Sequence, residues 1–267
     1  MRSRTEMRNP KTTHIDKMDT MSMVKIINEE NMNAVKAVEE CLENIAAAID
    51  VIAERYKKGG RIFYMGAGTS GRLGIIDAAE CPPTFGVSKE SVIGIIAGGE
   101  KCIVTAGENH EDSPTAGVDD LKKYDLNEKD IVVGLSVAGN AAYVAEAIKY
   151  AKELGCYTVG ITSNKGSLCD TLPHISIVPD TGAEVVTGST RMKAGTAQKI
   201  ILNMISTSVM IKCGYVYENL MINLKPTNIK LRRRMITIVS DILEVDDETA
   251  ERLLDENDWN IRAAVEK

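Results

Sequence analysis

A glycine-rich segment, Gly66–Arg72, carries residue types suited to binding a phosphate group. It reads Gly-Ala-Gly-Thr-Ser-Gly-Arg, follows an apolar run and opens a helical pattern. Glycines let the backbone approach an anion, and a helix start offers unpaired N–H groups. Gly68, Thr69 and Ser70 are therefore candidate phosphate-binding residues. The spacing matches neither the dinucleotide fingerprint nor the Walker loop, and a tight turn without a ligand is the alternative.

Two carboxylates are candidates for moving a proton. Glu80 lies one helix beyond the glycine-rich segment, just before two prolines that we expect to end that helix. Glu111 lies in the run Glu-Asn-His-Glu-Asp at 108–112. A carboxylate beside a phosphate site suits general acid or base catalysis. The alternatives are an ordinary helix-end glutamate for Glu80, and a solvated charge run or helix cap for Glu111.

A third polar segment, Gly182–Lys193, begins a long helical pattern. Ser189 or Thr190 is suited to cap that helix. Cations at Arg191 and Lys193 are less expected there, because the dipole at a helix start is positive. That misfit indicates a second polar wall of a pocket. The candidate substrate-binding residues of this segment are Glu184, Ser189, Thr190 and Lys193.

The elements that must position these residues alternate short apolar runs with helical patterns. The candidate strands lie at 61–65, 91–97, 131–136, 157–162 and 175–179, and the helical patterns between them at 71–79, 113–123, 142–154 and 191–213. This alternation predicts an α/β fold of three layers, in which a parallel sheet is flanked by helices. Ligands of such sheets bind beyond the carboxyl ends of the strands, where the glycine-rich segment begins.

The chain is expected to divide into three regions. Residues 1–54 hold a polar arm, predicted to be extended rather than packed, and two helical patterns. Residues 55–215 hold the α/β domain, and residues 216–267 form a helical region that we expect to cap the core or a dimer. In this last region Asp246 and Asp258 precede helical patterns and are predicted N-caps.

Composition narrows the possible classes of function. Of the 267 residues, 44% are hydrophobic and 26% charged, which is typical of a globular protein. A net charge of -6 and an aromatic content of 4% argue against nucleic-acid binding. No apolar run approaches the ~18 residues of a membrane span, so no membrane partner is expected.

Histidine and cysteine usage favours a protein without a metal site. The three histidines lie far apart, and the six cysteines show no Cys-x-x-Cys spacing. The first residues contain no apolar segment of the kind found in secretory signals. The cysteines are therefore expected to be reduced thiols and the protein to be cytoplasmic.

Several stretches resemble the N-acetylmuramic acid 6-phosphate etherases, a family built on a sugar isomerase (SIS) domain. The matches are GAGTSGRLG at 66–74, DAAECPPTFG at 77–86, IAGGE at 96–100, EDS at 111–113 and GAEVVTGSTRMKAGTAQK at 182–199, with shorter ones at 5–10, 219–221 and 227–232. ECPPTFG and GSTRMKAGTAQK are highly specific, and the resemblance spans nearly the whole chain.

The resemblance implies a lyase of amino-sugar metabolism that acts in N-acetylmuramate catabolism and peptidoglycan recycling. Such etherases eliminate the D-lactyl group from the open-chain form of N-acetylmuramic acid 6-phosphate. They then add water to give N-acetylglucosamine 6-phosphate and D-lactate, without a metal or other cofactor. Glu80 occupies the position of the family's proton-transferring glutamate, and Glu111 that of its second active-site glutamate. Family members form homodimers with the site near the subunit interface.

The loop after the third candidate strand departs from the family pattern. SIS loops usually read Ser-x-Ser-Gly-x-Thr, and in the etherases close to Ala-Ser-Gly-Arg-Thr-Pro-Tyr, whereas this chain reads Ser-Val-Ala-Gly-Asn-Ala-Ala-Tyr from Ser136. Ser136, Gly139 and Asn140 remain candidate substrate-binding residues. Two hydroxyls are missing, at Ala138 and Ala141. Their loss weakens phosphate binding by about 3–6 kcal/mol, or on the order of 10²–10⁴-fold, unless other contacts compensate.

Two other functions stay open. One is a non-catalytic regulator that binds phosphosugars, as the related glucokinase regulatory protein does. The other is an aldose–ketose isomerase of the SIS type, which shares the proton abstraction step. Retention of Glu80 and Glu111 favours the enzyme over the regulator, and ECPPTFG favours the etherase over the isomerase. Release of lactate distinguishes these cases.

Overall fold

A five-stranded parallel sheet forms the centre of the molecule, a computed structural model that describes residues 4–107 and 109–265. The strands are β1 (Ile62–Gly66), β2 (Val92–Ile96), β3 (Ile131–Leu135), β4 (Tyr157–Ile161) and β5 (Ile175–Ile177). They lie in the order β2-β1-β3-β4-β5. β1 therefore pairs with β2 on one side and β3 on the other, and the strand order reverses between β1 and β3. The predicted α/β class with a parallel sheet is confirmed.

Helices cover both faces of this sheet. They are α1 (Thr20–Glu39), α2 (Leu42–Lys57), α3 (Gly68–Phe85), α4 (Lys101–Val104), α5 (Ala116–Lys122), α6 (Ala142–Glu153), α7 (Leu168–Thr171) and α8 (Lys193–Lys212). Helices α1, α2, α3 and α8 share one hydrophobic core with one face of the sheet. Helices α5, α6 and α7 share a second core with the other face.

Continuous apolar strands explain why both faces are covered. In β1, Ile62 and Tyr64 point into the first core, whereas Phe63 and Met65 point into the second. All four side chains are fully buried. A strand that is apolar on both sides is stable only between two helical layers, and this places the polar groups of the chain at the ends of the strands.

The N-terminal arm is packed, so the prediction of an extended arm is wrong. It forms three short 3₁₀ turns, Arg4–Glu6, Pro10–Thr12 and Ile15–Lys17. The Asn9 side-chain amide donates to the carbonyl of Ala183 at 3.2 Å, and the Thr12 hydroxyl donates to that of Val185 at 2.9 Å. These polar side chains bind a segment distant in sequence, which a polar composition alone does not reveal.

Helix α3 passes through Pro82 and Pro83 and ends at Phe85, so the prediction that the prolines end it is wrong. Each proline removes one backbone hydrogen bond, to the carbonyl four residues earlier. Both losses fall in the last turns, where few bonds remain to be broken. Gly86, the residue after Phe85, terminates the helix instead. Its φ of 68° is left-handed, and its N–H donates to the carbonyl of Pro82 at 2.9 Å.

The C-terminal residues form a helical unit with a core of its own. A hairpin of β6 (Val216–Tyr217) and β7 (Leu220–Met221) leads to α9 (Ile229–Leu243), α10 (Asp247–Glu256) and α11 (Ile261–Val265). Its buried apolar side chains include Met235, Val239, Leu254 and Ile261. No helix among the residues that the structure describes is long and apolar enough to cross a membrane.

One of the two predicted caps in this unit is confirmed. The Asp246 carboxylate accepts the Thr249 N–H at 2.7 Å, as an N-cap does. Asp258 is not a cap, because its φ of 51° places it in a left-handed turn before α11. Asn260 has that role, and its side-chain oxygen accepts the Ala263 N–H at 3.0 Å.

Candidate functional site

A cavity of about 240 Å³ lies at the carboxyl ends of β1 and β3. The strand order reverses between these two strands, and this is where ligands of open parallel sheets bind. The residues that line the cavity are Ala67, Gly68, Thr69, Ser70, Glu111, Leu135, Ser136, Val137, Ala138, Ala141 and Thr190. Six of the predicted site residues thus lie together: Gly68, Thr69, Ser70, Glu111, Ser136 and Thr190.

The start of α3 supplies the anion-binding groups of this cavity. Its N-cap, Ala67, has no side chain that could accept the first N–H groups of the helix. The N–H groups of Gly68, Thr69 and Ser70 therefore have no partner within the helix. Gly68 has a φ of 53°, a conformation that few other residues adopt. Together with the helix dipole, these groups are suited to bind a phosphate.

The Ser70 hydroxyl is oriented by a glutamine that sequence reasoning did not identify. Ser70 Oγ donates to Gln198 Oε1 at 2.8 Å, and both side chains are buried. The Nε2 group of Gln198 has no partner among the described residues. Gln198 lies on the same buried side of α8 as Ala194, Ala197 and Ile201. A polar residue within that apolar pattern is the sequence signal that would have identified it.

The loop after β3 forms the opposite wall. Its Ser136 hydroxyl accepts the Gly139 N–H at 3.0 Å, which closes a tight turn. Gly139 has a φ of 82°, and a Cβ there would lie 2.0 Å from Ser167 Oγ, so only glycine fits. Gly139 shapes the loop without lining the cavity. Asn140 is exposed and faces a different groove, where its side-chain oxygen accepts the Leu168 N–H at 3.1 Å.

Ala138 and Ala141 line the cavity directly. These are the two positions at which the SIS pattern has hydroxyl groups. The wall formed by this loop therefore presents two methyl groups, and the start of α3 becomes the more polar side of the cavity.

Glu111 lies at the mouth of the cavity with its side chain exposed. Its main chain is fixed, because its carbonyl accepts the Tyr143 N–H at 3.0 Å in the first turn of α6. A carboxylate near the phosphate-binding groups is suited to exchange a proton with a bound sugar. Glu108, which belongs to the same run in the sequence, lies outside the described residues.

Glu80 lies apart from this cavity within one chain. It is exposed on α3, twelve residues after Gly68, or about 18 Å along the helix axis. It is absent from the lining of the cavity that holds Glu111. One chain therefore brings the two predicted catalytic carboxylates to different surfaces.

Glu184 and Lys193 are buried and fix the start of α8. The Glu184 carboxylate accepts the N–H groups of Lys193 at 3.3 Å and Ala194 at 3.0 Å. The Lys193 ammonium donates to Glu30 at 2.5 Å. Neither side chain lines the cavity, because each is engaged in these internal contacts. Burial raises the pKa of Glu184 against the lowering effect of those two N–H groups.

The predicted cap of α8 by Ser189 or Thr190 is wrong. The helix begins at Lys193, later than predicted, because the distant Glu184 accepts its first N–H groups instead. Thr190 is thereby left to line the cavity. Ser189 is half-buried in the turn before it and does not line the cavity.

The side chains present do not form a metal site. Within residues 4–107 and 109–265, no group of three His, Cys, Asp or Glu side chains lies close enough to hold an ion. The polar groups around the cavity are hydroxyls, backbone N–H groups and one carboxylate, which are suited to bind a phosphate or a sugar.

The fold and the cavity define a SIS-domain protein. Residues 44–152 match the family model of the glucokinase regulatory protein N-terminal SIS domain. Among solved structures, a protein of Escherichia coli CFT073, solved with a bound ligand, has a TM-score of 0.54 at 18% identity, covering 76% of this chain and 97% of that chain. A phosphoheptose isomerase from Francisella tularensis has a TM-score of 0.53 at 16% identity, covering 73% of this chain and 100% of that chain.

The chain belongs to the N-acetylmuramic acid 6-phosphate etherase family. It is 50% identical over 261 residues to the etherase of Pasteurella multocida strain Pm70, covering 98% of this chain and 87% of that protein. It is 51% identical to the etherase of Clostridium beijerinckii, covering 98% of this chain and 86% of that protein. The family suggested by the sequence motifs is confirmed.

Proposed function

We propose that the protein is a carbon–oxygen lyase that cleaves the D-lactyl ether of N-acetylmuramic acid 6-phosphate. The products are N-acetylglucosamine 6-phosphate and D-lactate. The observation that carries this proposal is the cavity in which Glu111 meets the uncapped start of α3, in a chain about half identical to named etherases. The cavity offers both an anion site and a proton-transfer group at the switch point of the sheet.

The 6-phosphate occupies the start of α3. The free N–H groups of Gly68, Thr69 and Ser70 and the Thr69 hydroxyl provide its donors, since the Ser70 hydroxyl already donates to Gln198. Ser136 and Thr190 add hydroxyls from the neighbouring walls. Gly139 donates its N–H to the Ser136 hydroxyl and so positions that side chain. Ser189 precedes Thr190 in the turn that carries the Thr190 side chain to the cavity. Glu184 and Lys193 act from behind the cavity, by fixing the start of α8.

The reaction proceeds from the open-chain aldehyde in two stages. A carboxylate removes the C2 proton, the electron pair forms the C2–C3 double bond, and the C3–O bond breaks. The departing lactyl oxygen takes a proton from an acid. Water then adds to the unsaturated aldehyde, with its hydroxyl at C3 and a proton at C2, so that substrate plus water equals the two products. Donors around the cavity stabilise the enolate that develops.

Glu80 and Glu111 are the two proton-transfer groups, contributed by different subunits of a homodimer. The support is a set of exposed apolar side chains on α1 and α3. On α1, the side chains of Met21, Val24, Met32 and Val35 are 52–63% exposed. On α3, Ile76 is 57% exposed one turn before Glu80. Both helices pack on α8, and exposed apolar side chains of this kind are typical of surfaces that a partner chain covers.

The cytoplasm is the proposed compartment. All six cysteines are free in the structure, and five of them are buried. Burial raises the pKa of the Cys81 and Cys169 thiols to about 12, which keeps both unreactive. Unpaired thiols of this kind are typical of proteins in a reducing compartment.

A phosphosugar-binding regulator is the second candidate function. The observation that favours it is the pair of methyl groups that Ala138 and Ala141 present to the cavity. The match of residues 44–152 to a regulatory-protein SIS domain points the same way.

Purified protein incubated with N-acetylmuramic acid 6-phosphate separates the two functions. The etherase predicts D-lactate and N-acetylglucosamine 6-phosphate in equal amounts, with saturation kinetics. Calorimetric titration with the same sugar and with N-acetylglucosamine 6-phosphate gives the binding constants in parallel. Saturable binding without any lactate would reject the etherase and support the regulator.

A further inference from the structure

A second cavity, of about 420 Å³, adjoins the first on the side of β2. Ala67, Gly68 and Glu111 line both cavities, so Glu111 lies at their boundary. The other residues that line the second cavity are Arg72, Ala97, Cys102, Gly107, Asn109 and His110. A substrate whose phosphate lies at the start of α3 therefore has room to extend past Glu111.

Arg72 brings a fixed positive charge to this second cavity. Its Nε donates to the carbonyl of Ile103 at 2.7 Å, and its Nη2 donates to that of Thr105 at 3.2 Å. Both acceptors are neutral, and no carboxylate of the described residues pairs with Arg72. The side chain is also half-buried. The guanidinium is thus held in place without being neutralised.

The substrate of the proposed etherase reaction carries two separate anions. One is the 6-phosphate, for which the start of α3 provides donors. The other is the carboxylate of the lactyl group on O3, for which the first cavity has no cation among its lining residues. We propose that the second cavity receives the lactyl group and that Arg72 pairs with its carboxylate. This inference rests on the proposed function.

The arrangement gives Arg72 two effects on the reaction. The scissile C3–O bond lies beside Glu111, because that residue separates the sugar-binding from the lactyl-binding cavity. The lactyl carboxylate and the Glu111 carboxylate repel each other, and the guanidinium offsets that repulsion. Arg72 also distinguishes substrate from the sugar product, since N-acetylglucosamine 6-phosphate lacks the lactyl group. Arg72 is in this sense a specificity-determining residue.

A comparison of the substrate with its lactyl amide tests the pairing. The amide keeps the shape of the lactyl group and removes its charge. Lactate or lactamide release is measured for wild-type protein and for Arg72→Met. The measured quantity is the ratio of kcat/KM for the acid to kcat/KM for the amide. This ratio should be about ten- to hundred-fold larger in wild type than in Arg72→Met, because the variant lacks the hydrogen bond to the charged carboxylate. An equal preference in both proteins would overturn the inference.

Arg55→Met is the matched control. Arg55 is also half-buried and also donates to two backbone carbonyls, those of Glu128 and Gly155, at the opposite end of the sheet. It should keep the wild-type preference for the acid. Unchanged affinity of Arg72→Met for N-acetylglucosamine 6-phosphate shows that the variant is folded. Arg72→Lys keeps a positive charge at this position and should restore part of the preference for the acid.

Failure of the lactyl subsite can be distinguished from failure of the proposed etherase function. If wild-type protein releases no lactate, the etherase assignment fails, and the acid and amide are then compared by their dissociation constants. A preference for the acid that disappears in Arg72→Met would still support the lactyl subsite. Lactate release with no charge preference would retain the etherase and reject the subsite.

Discussion

Two kinds of chemical group meet in the first cavity, and each has its own structural basis. The anion-binding groups are backbone N–H groups at the start of α3, which stay free because Ala67 has no capping side chain. The proposed proton-transfer group, Glu111, is fixed through its main chain and keeps an exposed carboxylate. Substitutions of the carboxylate and of the loop side chains should therefore affect turnover and binding separately.

Glu80→Gln and Glu111→Gln should each abolish most of the turnover. General acid–base groups contribute about 10²–10⁴-fold to rates, and glutamine cannot transfer the proton. We expect lactate release to fall by at least this factor while binding of N-acetylglucosamine 6-phosphate stays measurable by calorimetry. Glu90→Gln, at an exposed position before β2, is the control. Wild-type turnover in either variant would exclude that glutamate from catalysis.

Restoring hydroxyls to the loop after β3 should strengthen phosphate binding. Ala138→Ser and Ala141→Thr place hydroxyls at positions that line the cavity. Each is expected to lower KM by about tenfold or more, since hydrogen bonds to a charged group are among the stronger ones. Ala142→Ser, outside the lining residues, should leave KM unchanged. An unchanged or higher KM in the double variant would show that other contacts already compensate.

At the scale of elements, the start of α8 depends on a buried charge cluster. Lys193 is 2% exposed and pairs with Glu30, which is 3% exposed on α1. Glu184 is fully buried and accepts the first N–H groups of α8. Asn9 in the N-terminal turns donates to Glu30 at 2.8 Å. The cluster thus links α1, α8 and the N-terminal turns behind the cavity.

Glu30→Gln should destabilise the protein strongly. It removes the charge of the carboxylate that the buried Lys193 ammonium contacts directly, and losing one partner of a buried ion pair costs about 3–5 kcal/mol. The free energy of unfolding in urea measures this cost. Glu29→Gln removes an exposed charge from the same helix and should change the free energy of unfolding by less than about 0.5 kcal/mol. An equal effect of both substitutions would contradict the role assigned to the cluster.

The stabilising effect of Glu30 should disappear in acid. Burial raises the pKa of its carboxyl, but hydrogen bonds from Lys193 and Lys11 and the charge of Lys193 together bring the pKa below the ordinary value of 4.5. A lowered pKa means that the contribution is complete above 4.5 and is lost as the pH falls through the folded-state value. The difference in unfolding free energy between wild type and Glu30→Gln should shrink over that range. A difference that stays constant far into the acid range would contradict this.

The elements that local pattern defines were predictable from the sequence. The five strands were predicted because their apolar runs are continuous and bounded by polar residues. The glycine-rich segment was predicted to open a helix, and α3 begins at Gly68 within it. Gly68, Thr69, Ser70 and Glu111 line one cavity, as expected where the carboxyl ends of parallel strands share one edge, and their roles stay predictions.

The features that local pattern does not define were missed. Glu184 caps α8 from nine residues before its first turn, so the nearer Ser189 and Thr190 were the wrong caps. Lys193 was expected to contact a ligand because a cation is unusual at a helix start. Its actual partner, Glu30, is 163 residues away in sequence, so local pattern could not reveal it. The end of α3 was misplaced because two prolines in a final turn cost little. The first miss involves a contact across nine residues, and the second a contact between segments far apart in sequence.

At the scale of the whole molecule, the proposed role of Glu80 requires two chains. Within one chain, Glu80 and the cavity that holds Glu111 lie on different surfaces. An exposed apolar residue, Ile76, lies one turn from Glu80. We propose that a homodimer buries this face and brings Glu80 of one subunit to the cavity of the other.

Mixing two inactive variants tests this arrangement. If the carboxylates act across subunits, unfolding and refolding Glu80→Gln together with Glu111→Gln gives heterodimers in which one site has both glutamates. About a quarter of the wild-type activity should return, since half of the dimers are mixed and each has one intact site. Each variant refolded alone is the control and should stay inactive. No recovery in dimers shown by mass spectrometry to be mixed would contradict a shared site.

The most direct test of the etherase reaction is to run it in deuterated water and to analyse both products. Abstraction at C2 followed by addition of water predicts D-lactate in equal amount to N-acetylglucosamine 6-phosphate, with deuterium at C2 of the sugar. Mass spectrometry and proton NMR detect both. Lactate formed without deuterium at C2 would contradict elimination, and phosphosugar binding without lactate would contradict the etherase itself.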